Sequence, residues 1–561
     1  METREQSVLK AGLGLFRGRR GRHVKTSLTA YLFVLPAFLI IGLFGLFPIA
    51  FAFYVSLHRW RITPGKYLGL ENYVTAMDAL TYVGAFGLAI VLVILAVRAW
   101  LQVWRVAREH GDRPWVWLAP AVVAAAGLGK LVHFGVLLLP EVLAIPDKAK
   151  GQKRTQELFV RLLGEAWRTP AVQSALRTAL LILLVGLALA YVVHRFMTRS
   201  PRDGSYNTSL TWAFLLVLGA FLLGRLTYTQ IQAAYQAALE QGEPLELWVQ
   251  VVTIGAGFGL LWLSWWLWQA ARRRDSSAAT LFHLAAAAIL AVGAWALIGE
   301  LPRVVSAGDK DWWEGLKVTV YYSVGTVPFQ LGISLLLAVL LFQNIRGKAL
   351  FRLIYFLPYI TPTVAAAAVF RVFFSSGPTT PMNSLLKLLG AKPLLWLDEP
   401  RGVFQMIAGS GVDLPAWAEG PSLALVVIII YNVWSYVGYD TVIFLAGLGS
   451  IPSELYEAAA IDGAGRWSQF RHVTLPLLSP TTYFLTLLAV IGTFKAFNHV
   501  WVLRSGAALG TTDAASIVIF NEFNRNTRYG YAAALALVLL GVILILTIAN
   551  NRIAEKRVFY G

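Results

Sequence analysis

The chain alternates long, nearly uninterrupted apolar blocks with short polar connections, and that alternation constrains its fold more than any other feature. Twelve blocks of roughly 18 to 28 residues can be drawn. They run Leu28–Ser56, Tyr82–Trp100, Val116–Leu139, Ala175–Val193, Leu210–Leu226, Val249–Trp268, Leu281–Ile298, Val318–Leu341, Leu350–Phe374, Leu423–Gly447, Thr481–Leu503 and Gly530–Ala549. Each is long enough, as a helix, to cross about 30 Å of hydrocarbon. Helix is the expected type, because backbone in lipid must satisfy its own hydrogen bonds and a barrel would show alternating ten-residue segments. Composition agrees: 57% of the 561 residues are hydrophobic and only 14% are charged, too few to coat several soluble domains.

A net charge of +18 raises the question of nucleic acid. The basic residues, however, sit in short clusters between apolar blocks, such as Arg17, Arg19, Arg20, Arg22 and Lys25, or Arg272 to Arg274. No zinc-finger, basic-zipper or RNA-recognition signature accompanies them. Membrane orientation accounts for the pattern, and no nucleic-acid partner is expected. With the amino terminus inside, the cytoplasmic connections hold Arg98, Arg105, Arg108 and Arg113, then Arg195, Arg199 and Arg202, then Arg272–Arg274, then Arg346, Lys348 and Arg352. The carboxyl tail adds Arg552, Lys556 and Arg557, whereas 230–248, on the other side, carries Glu240, Glu243 and Glu246 and no basic residue. One connection dissents. The segment after the third block places Lys148, Lys150, Lys153, Arg154, Arg161 and Arg168 on the expected outside. The first block is too long for a signal-peptide core and reads as a retained span.

Cysteine is absent, so disulfides and thiolate chemistry are excluded. Gly127-Leu-Gly129-Lys130 imitates a phosphate loop superficially, but Ala124 and Leu131 break the pattern and the stretch is apolar. Catalytic and metal-binding signatures are missing, and His133 and His283 are isolated. Neither enzymatic activity nor a cofactor is expected of this chain.

Between the tenth and eleventh blocks lies IPSELYEAAAIDGAGRWSQFRHVTLPLLSP, residues 451–480. Pro452-Ser453 can start a helix with Ser453 as cap, Leu455, Ala458, Ala459 and Ile461 make an apolar stripe, and Gly463 and Gly465 end it. A second amphipathic piece, Trp467–Val473, leads to Pro476. This helix–turn–helix offers a small, flat surface to a partner.

The stretch resembles the EAA loop of ABC-importer permeases, with Glu457, Ala458, Ala459, Asp462, Gly463, Leu475 and Pro476 at the corresponding positions. LFVLPAFLIIGLFGLFPIAFAFYVSLHRW (32–60), GLENYV (69–74), RGKALFRLIYFLPYITPTVAAAAVFRVFF (346–374) and FLAGLGSIPSELYEAAAIDGA (444–464) look like the maltose-type carbohydrate permeases, in that family's order. The resemblance implies an all-α, six-span permease core of a type I importer in a bacterial or archaeal cytoplasmic membrane, with both termini cytoplasmic. It implies as partners a second permease subunit, two copies of an ABC ATPase that uses the ATP, and an extracytoplasmic sugar-binding protein. Glu457 would pair with a basic residue of the ATPase.

One departure is large. The family's second core span should follow GLENYV closely, yet residues 77–311 intervene with six of the twelve blocks. The chain then divides into 1–76 with the first span, an inserted segment 77–311 of unknown role, and 312–561 with five further core spans. Within the insertion, Glu165–Phe196 weakly echoes the family's second-span region.

Polar residues at bilayer depth nominate the transport path, because each costs at least ~2.5–3.5 kcal/mol unless it faces a cavity or partner. Asn432, Tyr436 and Tyr439 share one helical face in the tenth block; Lys495, with Asn498 and His499 near it, interrupts the eleventh. The resemblance places these residues where the family's substrate contacts cluster, and the competing role is interhelical hydrogen bonding. A twelve-span secondary transporter is the alternative for the whole chain, although no two-fold repeat is visible and Asp440 is the only strong coupling carboxylate. A membrane-embedded lipid-sugar transferase would need an acidic or metal site beside the membrane, and none appears.

Overall fold

The structure is a computed structural model that describes residues 19–153, 155–197, 203–242, 247–271, 277–299, 301–343, 346–409, 411–415 and 418–557. Arg17, Arg154, Arg199, Arg202, Glu243, Glu246 and Arg272–Arg274 of the charge pattern lie outside the described residues. Among the described residues there are helices and two isolated bridges, but no strand. Ten helices are long and apolar enough to cross a membrane, or up to twelve when two bent pairs each count as one span.

The first bent pair corrects the expectation of a continuous helix in the ninth block, the second bends just before the eleventh, and the eleventh is broken at Lys495. Lys348–Ile360 and Thr363–Phe373 meet at 95°. Pro362 supplies the reason: it denies its predecessor helical geometry, and Thr361 is extended at φ −65°, ψ 135°. Arg466–Leu477 and Ser479–Phe494 meet at 62°. The latter helix stops at Lys495, and a separate short helix, Asn498–Leu503, completes the block. The Ala496 carbonyl freed near this break accepts a hydrogen bond from the Ser516 hydroxyl at 2.5 Å.

The chain divides into two compact units. The first comprises Met1–Leu68 and Lys310–Gly561. At its centre is Leu423–Gly449, whose most apolar window is 67% buried, against 0% for Thr29–Ser56. The contrast follows from solvent: an apolar side chain facing lipid has no drive to be covered, whereas polar groups have. Small residues let the central helix approach its neighbours. A Cβ on Gly438 would collide with the Tyr355 carbonyl, and one on Gly325 with Ile429. The first helix, Arg19–Ile40, passes through a π-helical turn, Ile41–Leu46, into Phe47–Ser56, which packs on Tyr529–Arg557. The connection between Thr363–Phe373 and Leu423–Gly449 is organised by Asn383. This buried amide donates to the Gly377 and Leu394 carbonyls (2.9 and 3.1 Å) and accepts from Leu394 N–H and Trp396 Nε1 (2.9 and 2.8 Å).

The second unit is Gly69–Asp309. Leu80–His110 packs on Asp203–Gln241, Leu118–Leu143 on Pro170–Phe196, and Leu247–Ala271 on Ser277–Ile298. Gly127 lies against Leu183 and Gly186 against the backbone of Ala124, so small residues again set the close approach. Gly127–Lys130 is continuous helix in this unit, which removes any phosphate-loop geometry.

Candidate functional site

A polar cavity of about 350 Å³ opens inside the first unit. The helices around it each contribute a few residues: Gln330 from Lys310–Phe342; Tyr359 and Thr363 from the bent pair; Asn432, Tyr436, Tyr439 and Asp440 from Leu423–Gly449; and Thr493, Lys495, Asn498 and His499 from the broken eleventh block. The residues nominated from sequence, Asn432, Tyr436, Tyr439, Lys495 and Asn498, therefore come together in one place. A larger groove of about 830 Å³, bounded by Phe329, Ile333, Ile354 and Val433, is mainly apolar and has no charged or amide side chain in its lining.

Hydrogen bonds divide the cavity lining into two kinds. Gln330 is buried and bridges two helices, donating from Nε2 to Asp440 Oδ2 at 2.6 Å and accepting at Oε1 from Asn432 Nδ2 at 3.2 Å. Ser334 extends the seam by donating to the Val437 carbonyl at 3.0 Å. His499 is buried beside Tyr431, ring on ring at 5.3 Å, and its Nε2 lies 2.7 Å from the Tyr322 hydroxyl. By contrast, Tyr436 (41% exposed), Lys495 and Asn498 are open, and form no side-chain hydrogen bond among the described residues. Tyr359 stacks on Tyr439 with centroids 4.6 Å apart and meets Tyr436 edge-on at 5.7 Å. The result is an aromatic wall facing an ammonium and an amide. Such a set can hold the C–H face of a polyol on the rings and bond its hydroxyls with the polar groups.

Sequence reasoning missed Gln330, Tyr359, Thr363 and Thr493. Gln330 carried a usable signal, being a lone amide in an apolar block. Tyr359 carried little, since only the Pro362 bend turns it toward the other tyrosines.

Residues 451–480 form a second, separate surface. The helix is Ser453–Ile461, with Pro452 as its cap residue and no side-chain cap bond, so Ser453 is the first helical residue and not the cap expected. Its end is a Schellman turn. Gly463 has φ +79°, its N–H donates to the Ala460 carbonyl at 3.0 Å, and Ala464 N–H donates to Ala459 at 2.8 Å. The Tyr456 hydroxyl, 3.1 Å from Thr474 Oγ1, ties the helix to the segment that returns to the membrane. Glu457, Ala458 and Asp462 are exposed, as are Ile461 (87%) and Trp467 (71%). Ala459 is half-buried, while Leu475 and Pro476 are exposed. An acidic and apolar face left open in this way can dock a partner.

No group of three or more His, Asp or Glu side chains suited to a metal occurs among the described residues.

Residues 330–559 match the family model described as the binding-protein-dependent transport system inner membrane component. The chain is 34% identical over 257 residues to the probable ABC transporter permease protein YesP of Bacillus subtilis, spanning 45% of this chain and 75% of that protein. Over 255 residues it is 29% identical to the trehalose/maltose transport system permease protein MalF of Thermococcus litoralis, spanning 46% and 78%. Over 265 residues it is 30% identical to the lactose transport system permease protein LacF of Rhizobium radiobacter, spanning 46% and 80%. The chain belongs to the family of inner-membrane permease subunits of binding-protein-dependent ABC transporters.

Proposed function

We propose that this chain lines half of the substrate path of an ATP-driven carbohydrate importer, and that the cavity between Gln330 and Lys495 is a sugar station on that path. The observation that carries this reading is the open wall of Tyr359, Tyr436 and Tyr439 opposite Lys495 and Asn498. Relatives named for trehalose/maltose and for lactose support a carbohydrate as the cargo. A second permease subunit supplies the other half of the path, an extracytoplasmic binding protein delivers the sugar, and two copies of an ATPase subunit hydrolyse ATP. The exposed face of Ser453–Ile461, with Glu457 and the small surface of Ala458 and Ala459, is the ATPase dock, and Leu475 and Pro476 pass its movement to the next helix. Both termini and residues 451–480 face the cytoplasm. Residues 77–311 are an addition to a six-span core.

The experiment is sugar uptake by the reconstituted complex. Lys495→Met and Tyr436→Ala should each abolish or severely reduce uptake while the ATPase still co-purifies, because both side chains are open to the cavity and neither hydrogen-bonds another side chain among the described residues. Wild-type uptake by both variants would move the sugar station elsewhere.

A further inference from the structure

The dissenting basic connection of the second unit has a structure of its own. Residues 149–155 lead from the membrane helix ending at Lys148 into Gln156–Arg168, and Thr169 alone separates that helix from the next membrane helix, Pro170–Phe196. Chain continuity at both ends therefore keeps this 13-residue helix, about 20 Å long, at the membrane surface. Its apolar arc is wider than the surface it packs on. Leu158, Leu162 and Ala166 are buried, whereas the adjoining arc of Phe159, Leu163, Trp167 and Val160 is exposed. Glu157, Arg161, Glu165 and Arg168 take the remaining side, with Val160 at the boundary. Trp167 also meets Phe134 of the preceding membrane helix edge-on at 5.4 Å.

Beneath the entry turn is an apolar cavity of about 340 Å³ between Val142, Ile145, Pro146, Leu158, Phe159 and Leu162. The connection that lends Ala149 and Thr155 to its lining is basic. Lys148 is paired with Glu141 at 3.0 Å and Lys150 with Asp147 at 2.7 Å, but Lys153 and Arg168 are exposed and in no ion pair among the described residues.

We infer that Gln156–Arg168 lies in the bilayer interface and that the entry turn seats an anionic phospholipid, with an acyl chain in the apolar cavity and its phosphate at Lys153. An apolar slot beside an uncompensated cation fits a lipid of that class. A soluble anion would leave the slot unfilled, and a zwitterionic headgroup would bring its own cation to the lysine. A basic loop outside the membrane is then held by the lipid surface, which also explains why it runs against the charge asymmetry of the other connections.

The chain has no cysteine, so single cysteines at Leu163 and at Glu157, about 120° apart around the helix, can carry a fluorophore in the full-length protein in vesicles. The vesicles contain phosphatidylcholine with one quarter phosphatidylglycerol, and either lipid carries the nitroxide quencher at equal mole fraction. The Leu163 probe should be quenched by lipid and shielded from aqueous iodide, and the Glu157 probe should show the reverse. Nitroxide phosphatidylglycerol should be enriched at Leu163 roughly five-fold over nitroxide phosphatidylcholine, and Lys153→Gln should remove that enrichment. Equal exposure of both probes to iodide would overturn the interfacial placement, and so would a Leu163 probe shielded from iodide but not quenched by lipid, the result expected if a protein surface covered the helix. Equal quenching by both lipids, or an enrichment unchanged by Lys153→Gln, would overturn the anionic seat.

Discussion

Replacing Gly463 tests the proposed ATPase dock through a single backbone angle. Its φ of +79° lies in the left-handed region, and no atom stands within 4 Å of where a Cβ would be built. A substitution therefore meets no clash, and its whole cost is conformational. For an L-residue that cost is about 1–2 kcal/mol, which shifts the equilibrium between closed and open turn by roughly 5- to 30-fold. The turn orients the Ala459 and Ala460 carbonyls and the exposed face that carries Glu457. Apparent affinity for the ATPase subunit should fall by up to that same factor. Asn tolerates the left-handed region better than Ala, and a β-branched residue tolerates it worst. The expected order of affinity is thus Gly, then Gly463→Asn, then Gly463→Ala, then Gly463→Val. Gly463→Asp should be severe for another reason, since it sets a second carboxylate beside Asp462 and alters the charge of the face. Co-purification titrations of the ATPase subunit on detergent-solubilised permease measure the series, and thermal unfolding of the permease should not change. Equal affinities for Gly, Ala and Val would show that the turn plays no part in docking, and Asn weaker than Ala would refute the backbone argument.

Glu457→Ala should weaken ATPase association by removing the charged group of the same face, with membrane insertion intact; quantitative co-purification reads it. Gln330→Leu should destabilise the permease by roughly 1–3 kcal/mol in thermal unfolding, because Asp440 and Asn432 both lose their buried partner. Arg401 bonds both carboxylate oxygens of Glu399 at 2.8 and 2.9 Å and holds that buried acid below the usual carboxylate range against the opposing effect of burial. A depressed acid stabilises above its unfolded pKa and ceases to as pH falls through the folded one. Resistance of 375–422 to proteolysis should accordingly drop below about pH 4 in the wild type, and already at neutral pH in Arg401→Gln. Impermeant thiol reagents should label cysteines at Lys153 and Ala507 from outside and at Ile461 only after permeabilisation; labelling of Ile461 in intact cells would reverse the orientation.

What could be read in the sequence was whatever a single helix encodes. Apolar length announced the spans, and a repeat of 3.6 residues put Asn432, Tyr436 and Tyr439 on one face, which does line one cavity. Adjacency between helices is not encoded in that way. Gln330 stands more than a hundred positions from both residues it bonds, and nothing in its block states which helix will lie opposite. Hydropathy is likewise blind to a break whose flanks are equally apolar, so the block 481–503 read as one helix although it stops at Lys495. The Schellman turn was legible as two glycines after an alanine run, but the helix start was misassigned by one residue because Pro452 and Ser453 are both credible first positions.

Polar residues in the membrane have two competing explanations, interhelical bonding and contact with the cargo, and under the proposed function side-chain exposure assigns one or the other to each residue. Asn432 and Asp440 are buried and bonded to Gln330, so their polarity is already satisfied by the protein. They hold Leu423–Gly449 against Lys310–Phe342 and fix the angle from which the wall residues face the cavity. Tyr436, Lys495 and Asn498 have no such employment, and an ammonium at bilayer depth without a protein partner needs water or cargo to be tolerable. Had all five nominated residues been bonded to one another, the cavity would be a sealed seam with nothing to offer a solute. Had none been, the wall would lack the rigidity that keeps a polar site selective. The two groups should therefore fail differently: substitutions at Gln330, Asn432 or Asp440 lower unfolding temperature and uptake together, and substitutions at Tyr436, Lys495 or Asn498 lower uptake alone. A uniform loss of stability across all six would return the whole set to interhelical bonding.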